Sequence, residues 1–497
     1  MKQKAQDYFD RKIAAFSDAD VRVFDRITPS LAAVKSVHIT GVCGTATASL
    51  GSLFLDAGIT VTGSDTACYP PMSTILADLA IDVMPFGIKN LEGKDAVIVA
   101  NMCAPGNEEA AYCRETGVPT LSMSEAIHDF FIRDKNSVVV AGTHGKTTTT
   151  GICVHVFESA KHDPSFLVGG VMKNTGSSAR YNADSKHFII EGDEYDTAYF
   201  DKSPKFLHYN PRTVVITSVE LDHVDIYSDI EDYRNSFRFL IEEVSEKGHI
   251  FVCGETEGSK SLFEEYRENT NISLYGFDPS HNLCIKNIRT KPTGQEFEVF
   301  HQGVSMGDFF LPMFGSYNAL NALAVIGVSL FEGLTVEEIK EGLTTFTGMK
   351  RRQEIYGEKN GITVIDDFAH HPTAALETLK GIRQHYPDRR IIALFEPRSN
   401  SSRSKLFEEE YTESFTPADM VVFSVPKPKD GYNPPEFMDT DLVIRTITEQ
   451  GKEAYSVYNA LEAVELLAGK MKSGDVVVVM SNGSFDGVHE KLLEAVK

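Results

Sequence analysis

Gly142-Thr143-His144-Gly145-Lys146-Thr147-Thr148 follows directly on the apolar run Ser137-Val138-Val139-Val140-Ala141, and the fold is read outward from this junction. The run predicts a buried strand and the residues from Thr148 to about Ala160 predict a helix, so the glycine turn lies between a strand end and a helix start. Glycines let backbone N–H groups approach an anion closely, and a helix N-terminus adds partial positive charge. Lys146 can reach terminal phosphates, and a hydroxyl such as that of Thr147 ligates Mg2+ in phosphate loops. The pattern G-x-x-x-x-G-K-[ST] would require glycine at position 140, where Val140 stands, so the loop is a compressed form. On this reading Gly142, Thr143, His144, Gly145, Lys146, Thr147 and Thr148 cradle a nucleoside triphosphate.

Two further apolar runs end in acidic residues. Phe188-Ile189-Ile190 is followed by Glu191-Gly192-Asp193-Glu194-Tyr195-Asp196, and Thr213-Val214-Val215-Ile216-Thr217 leads to Glu220-Leu221-Asp222-His223. Open α/β sheets bind ligands at the carboxyl ends of their strands. Carboxylates there are placed to hold Mg2+ directly or through water. An acidic turn alone is as often a solvated surface, and a lone histidine is more often structural. Three such strand ends in succession, beside a phosphate loop, are hard to explain as packing. Glu191 and Glu194 both qualify as metal ligand, and strand-end position favours Glu191.

At 497 residues the chain is long enough for two to four domains with cores of their own. Short β-rich runs alternate with amphipathic helical segments throughout, which predicts an α/β fold with mostly parallel sheets. A polar segment, 1–35, reads as a helical extension. Residues 36–134 begin as a Rossmann-like domain, with strands near Val37–Gly41, Thr60–Gly63 and Ala96–Ala100 and helices near Ala46–Ala57 and Met72–Leu79. Residues 135–346 form a central P-loop ATPase domain with a parallel sheet; its stretch Leu274–Leu311 alternates like antiparallel strands, a small β insertion. Residues 347–497 repeat the Rossmann-like α/β rhythm in Thr363–Ile365, Ile391–Leu394, Met420–Phe423 and Val476–Val479.

The formal net charge of −23, from 48 basic against 71 acidic residues, argues against nucleic acid or an anionic membrane as partner. Seven cysteines, an odd count without a C-x-x-C pair, suit reduced thiols. The first eighteen residues lack an apolar signal core, and no window approaches the roughly 20 apolar residues of a membrane span. A cytoplasmic enzyme is expected, and nothing in the pattern decides between monomer and homodimer.

The loop G-T-H-G-K-T-T resembles the ATP site of the Mur ligases, which build the peptide of bacterial cell-wall precursors. The resemblance covers nearly the whole chain after residue 35. It implies ATP as co-substrate and Mg2+ as cofactor, with Thr147 and Glu191 at one magnesium and His223 at a second. Glu220 stands where some members carry a carbamylated lysine, as in the branch that uses UDP-N-acetylmuramate. Gly315-Ser316-Tyr317-Asn318-Ala319-Leu320-Asn321-Ala322 looks like the family's adenine-contacting helix, with Asn318 and Asn321 on one face at i, i+3. Lys350-Arg351-Arg352 and Asp366-Asp367-Phe368-Ala369-His370-His371-Pro372 resemble the K-R-R and D-D-[YF]-[GA]-H-H-P elements of the same branch. There Arg352 would lie over the nucleotide phosphates after domain closure, and Asp367 and His371 would face the reacting groups. His371 is a candidate base or positioning group. The catalytic set implied is Lys146, His223, Arg352, Asp367 and His371.

In the first block Gly41, Cys43, Gly44, Thr45, Ser64 and Asp65 would hold the UDP-sugar, with the diphosphate at the helix N-terminus. Two departures, Thr47 for the usual Met and Gly192 for the usual Ala, change no charge or ligand and are expected to have little effect. Tyr69-Pro70-Pro71-Met72-Ser73, Gly106-Asn107-Glu108, Phe200-Asp201-Lys202-Ser203-Pro204-Lys205-Phe206, Glu396-Pro397-Arg398-Ser399-Asn400 and Ser481-Asn482-Gly483-Ser484-Phe485 are similar to members that join L-Ala-γ-D-Glu-meso-diaminopimelate to UDP-N-acetylmuramate. Arg398, Ser399, Asn400 and Arg403 would then meet the incoming cell-wall peptide. Competing readings are a ligase taking L-alanine alone, a P-loop regulatory ATPase without ligase activity, and a nicotinamide oxidoreductase suggested by Gly41-x-x-Gly44 with Asp65. The last leaves the Lys146 loop unused.

Overall fold

A computed structural model describes Tyr8 and residues 29–496 apart from 70, 71, 270 and 429–432. Most of the expected helical extension over 1–35 therefore lies outside the described residues, as do Pro70 and Pro71. The chain forms two compact units. The first takes the residues up to Val219 together with Arg234–Cys284 and Leu323–Gly342; the second takes Glu220–Tyr233, Ile285–Ala322 and Leu343–Lys497.

The first unit holds a five-stranded sheet, a two-stranded hairpin and most of a ten-stranded sheet. The five-stranded, smaller sheet has the order Asp82–Met84, Thr60–Ser64, Ser36–Thr40, Ala96–Val99, Thr120–Ser122, with every neighbour parallel. Strand order reverses between Ser36–Thr40 and Ala96–Val99, which opens a crevice at their carboxyl ends. Val37, Ile39, Val97, Ile98 and Val99 are fully buried, as a sheet covered on both faces requires. The outer strands Asp82–Met84 and Thr120–Ser122 are three residues each and partly polar, too short to register as apolar runs.

In the larger sheet Asn136–Ala141 lies between Thr213–Ile216 and His187–Glu191, all parallel. Ala141 stands opposite Ile216, and Val140 opposite Glu191. This register sets the phosphate loop, the acidic turn and Thr217-Ser218 side by side at one end of the sheet. The helix after the loop runs Lys146–Ser159. The two sheets share more than a boundary: the short hairpin Asp196–Ala198/Asp201–Pro204 carries Tyr199 and Phe200 at its tip, both packed with Leu91, Val97, Val99 and Cys113 of the first block.

The second unit is built on a six-stranded sheet in the order Glu354–Lys359, Ile362–Asp367, Val476–Ser481, Ile391–Glu396, Met420–Ser424, Glu453–Val457. Only the first pair is antiparallel. In the insertion Gly294–His301 and Val304–Leu311 pair antiparallel. Upstream, Ile272–Gly276 pairs in parallel with His249–Cys253 on one side and with Leu283 and Cys284 on the other; a period of two suits a parallel strand as well as a hairpin.

Candidate active site

The phosphate loop folds as its glycines require. Gly142 adopts φ +128° and Gly145 φ +81°, and a Cβ at Gly142 would collide with Thr217 Oγ1 and the Ser218 backbone. The Ser218 carbonyl accepts the Thr143 N–H at 3.0 Å, and the Ser218 hydroxyl accepts the His144 N–H at 2.9 Å. Thr217 Oγ1 donates to the carbonyls of Ala141 and His144. The two residues after the third strand thus strap the loop, a role that sequence reading did not give them.

The two candidate carboxylates have different partners. Lys146 Nζ lies 2.9 and 2.8 Å from the Glu194 oxygens and donates to the Gly142 carbonyl at 2.6 Å. Burial pushes the Lys146 ammonium down, but Glu194, Glu191 and Asp193 outweigh it and keep the group above its ordinary value. Glu191 instead accepts the Thr147 hydroxyl at 3.1 Å and the Gly169 N–H at 2.8 Å. Thr147 and Glu191 together offer hard oxygen donors of the kind Mg2+ takes. The rest of the acidic turn is balanced by lysines of the hairpin region: Lys205 on Asp193, and Lys202 on Asp196, which also accepts from Asn101 Nδ2 at 2.9 Å.

At the crevice of the smaller sheet Gly41 has φ +82°, and the Gly41 and Val42 N–H groups donate to the Ser64 carbonyl. Cys43 N–H donates to Asp65 Oδ2 at 2.9 Å, and Gly44 caps the helix beginning at Thr45. Thr47 is not the neutral departure expected. Its hydroxyl lies 3.0 to 3.2 Å from the carbonyls of Gly41, Val42 and Gly44, so it braces the turn from beneath.

Ser64, taken from the sequence as a ligand contact, is buried, and its hydroxyl donates to Glu109 at 2.5 Å. Glu109, missed in the sequence, is the hub under this crevice. It also accepts from Thr40 Oγ1, Gly87 N–H and Asn90 Nδ2, and His38 Nε2 stands 3.3 Å away. Burial pushes its carboxyl up, but His38, Ser64, Gly87 and Asn90 bring it down to about 2. One of two adjacent glutamates in Asn107-Glu108-Glu109 gives no signal of this in sequence.

In the second unit Asn318 and Asn321 are both buried, and Asn321 Nδ2 donates to Asn318 Oδ1 at 3.2 Å. Asp367 accepts the Gln353 N–H at 2.7 Å and the Ala369 N–H at 2.8 Å. Burial raises its carboxyl above the usual value against the opposing pull of Arg352. The Arg352 guanidinium lies 4.6 Å from the Phe368 ring centroid, a cation–π contact that fixes its direction.

Asp222 is buried among imidazoles. Burial raises its carboxyl, but the neighbouring His223, His371 and His370 and a Ser401 hydrogen bond outweigh it and hold it far below the usual range. His223 has φ +52° and donates its N–H to Asp222 at 2.7 Å. His371 differs from a free base. Its Nδ1 accepts the Thr373 N–H at 3.3 Å as the cap of helix Pro372–His385, and Nε2 is 3.3 Å from the Leu221 carbonyl. A nitrogen facing a carbonyl must carry the proton, so both ring positions are engaged and the ring suits positioning rather than proton removal.

The loop after Ile391–Glu396 separates the peptide candidates. Arg398 is exposed, and Ser399 caps the short helix Asn400–Arg403 by accepting the Ser402 N–H. Arg403 is 1% exposed and donates to Ser399 O, Asn400 Oδ1, Lys427 O and Asn433 Oδ1. Its guanidinium therefore builds the loop, which corrects the expectation of a peptide contact; its spacing in sequence could not distinguish the two.

Three family descriptions match the chain: Mur ligase family, catalytic domain, over residues 36–135; Mur ligase middle domain over 140–329; and Mur ligase, glutamate ligase domain, over 351–483. The UDP-N-acetylmuramate–L-alanyl-γ-D-glutamyl-meso-2,6-diaminoheptandioate ligase of Haemophilus influenzae is 35% identical over 472 residues, 93% of this chain and 100% of that protein. The Escherichia coli protein of the same name is 35% identical over 92% of this chain and 97% of its own. A crystal structure of a murein peptide ligase from Psychrobacter arcticus has TM-score 0.67 and 30% identity, covering 93% of this chain and 98% of that one. No helix among the described residues is long and apolar enough to cross a membrane.

Proposed function

The chain belongs to the Mur ligase family, and from this we propose that it joins the carboxylate of UDP-N-acetylmuramate to the L-Ala amine of L-Ala-γ-D-Glu-meso-diaminopimelate with conversion of ATP to ADP and phosphate. Such a reaction reuses cell-wall peptide in the cytoplasm, where both nucleotides are found. The observation that carries the reading is the half-buried Lys146, paired with buried Glu194 at a strand-end glycine loop, in a chain similar over nine-tenths of its length to ligases of that tripeptide. We assign 36–134 to the UDP-sugar, 135–346 to ATP and 347–497 to the peptide.

The chemical problem is to bring a carboxylate to a triphosphate. The muramoyl carboxylate oxygen bonds to the γ-phosphorus, the bond from that phosphorus to the β-γ bridging oxygen breaks, and ADP leaves. The L-Ala nitrogen then bonds to the acyl carbon, phosphate departs with the former carboxylate oxygen, and the amine loses a proton. Lys146 carries a full positive charge to the phosphates, and the loop N–H groups and the start of helix Lys146–Ser159 add partial charges without reorganising. Thr147 and Glu191 would hold Mg2+ and His223 a second ion, and that metal supplies further charge neutralisation when bound. Asn318 and Asn321, linked amide to amide, would meet a purine edge, and Arg352, held against the Phe368 ring, would meet phosphate oxygens. In the smaller sheet the Gly41–Thr45 turn, fixed by Asp65 and Thr47, offers its helix N-terminus to the UDP diphosphate. Asp367 and His371 position the reacting groups.

A coupled ADP-release assay with Mg·ATP and UDP-N-acetylmuramate tests the proposal, comparing the tripeptide with L-alanine. Turnover with the tripeptide alone is expected. Turnover with L-alanine would place the enzyme at the first step of precursor synthesis. ADP release with neither amine would overturn the ligase reading.

A further inference from the structure

Gly483 follows the buried strand Val476–Ser481, and is itself buried although its neighbourhood is at the surface. What covers it is Arg398. The three atoms nearest to the place a Cβ would occupy at Gly483 all belong to that side chain, with Cδ and Cζ each 2.6 Å away and Nη1 closer still. No side chain larger than hydrogen fits while Arg398 keeps its place.

The glycine cannot yield. Its N–H donates to Ser481 Oγ at 2.9 Å, and that hydroxyl is in turn bound to Glu396 Oε2 at 2.5 Å, two residues before Arg398. Its carbonyl accepts Arg351 Nη2 at 2.6 Å, and the same nitrogen binds the Ser481 carbonyl at 2.7 Å. The platform is thus clamped from both sides, while Arg398 ends a flexible side chain. Under any added methyl it is the arginine that moves.

We infer that Gly483 is a specificity-determining positioning residue: it is the floor that lays the Arg398 guanidinium flat at the carboxyl end of the second unit's sheet, where it receives a carboxylate of the incoming peptide. The inference rests on the ligase reading above. A planar guanidinium binds a carboxylate through two parallel N–H bonds, so its orientation matters as much as its charge. A floor of bare backbone fixes that orientation without competing for the donors. The peptide of the proposed reaction carries several carboxylates, and L-alanine only one.

The test is steady-state kinetics with the tripeptide varied at saturating Mg·ATP and UDP-N-acetylmuramate, for wild type, Arg398→Ala, Gly483→Ala and the double variant. Gly483→Ala is expected to raise the KM for peptide about tenfold, the effect of misaligning one charge-assisted pair, with the KM for ATP unmoved and kcat at saturating peptide within about twofold. Arg398→Ala should do the same, and the double variant should be no worse than Arg398→Ala, since both changes act through one side chain. A thermal melt separates folding from function: in the Arg398→Ala background Gly483→Ala should leave Tm unchanged. A wild-type peptide KM in Gly483→Ala beside an impaired Arg398→Ala would overturn the inference and spare the peptide role of Arg398. An unimpaired Arg398→Ala would overturn both. Failure of wild type to turn over the tripeptide would instead remove the ligase reading on which they rest.

Discussion

Lys146 and Glu194 form a two-point ion pair inside the protein, with Nζ 2.9 and 2.8 Å from the two carboxylate oxygens and Glu194 fully buried. The lysine proposed to meet the triphosphate is therefore held in its charged form at the strand-end loop. The same carboxylate is withdrawn from metal binding, which separates Glu194 from Glu191.

Replacing Lys146 with Ala removes the one full charge of the loop. ADP release should fall by about a thousandfold or more, the scale of losing a charge aimed at a transferring phosphoryl group. UDP-N-acetylmuramate binding, measured by calorimetry, should survive. Retained turnover would contradict the assignment of the loop.

Glu194→Gln leaves a half-buried ammonium without its carboxylate partner. Unfolding by denaturant should show a loss of about 3 kcal/mol, the low end for breaking a buried pair because Glu191 and Asp193 also face Lys146. Glu191→Gln should behave differently: stability changes little, and the Mg2+ concentration giving half-maximal rate rises severalfold. Equal Mg2+ dependence in both variants would remove the distinction.

Thr47→Val keeps the shape of the side chain and deletes the hydroxyl that braces the Gly41–Gly44 turn. About 1 kcal/mol of stability should go, the usual worth of one hydrogen bond. The KM for UDP-N-acetylmuramate should rise several-fold while that for ATP stays. An unchanged UDP-sugar KM would reduce Thr47 to packing.

Glu109 titrates at about 2 in the folded chain against a usual 4.5. A depressed carboxyl stabilises the fold fully above 4.5 and loses that contribution as pH falls toward 2. Wild type should therefore exceed Glu109→Gln in stability at pH 7, and the gap should close between pH 4.5 and 2. A gap that is constant across this window would show that the network is not electrostatic.

Parallel strands buried on both faces read as unbroken apolar runs, so Asn136–Ala141, Thr213–Ile216 and Val476–Ser481 were visible in the sequence within a residue or two. The phosphate loop was equally plain, because backbone conformation and charge there demand particular residues. What stayed hidden depends on contacts between distant segments. Glu109 is silent in its own helix, since its five partners lie 19 to 71 residues away. Arg398 and Arg403 look alike in sequence, yet one is exposed and the other is locked to Lys427 and Asn433. His371 stood out in the sequence as a candidate, but which of its nitrogens carries a proton follows only from the carbonyl and amide it meets.

The hairpin tip Tyr199-Phe200 has a bearing on how this enzyme can be taken apart. Both rings belong to one buried apolar cluster with Val97, Val99, Ala100 and Cys113, so a cut near residue 135 would strip the segment after it of the surface that shelters them. Each fragment would display an apolar scar, and neither could serve as a soluble module for swapping between ligases. Any chimera that exchanges the UDP-sugar segment must carry residues 196–204 along with it.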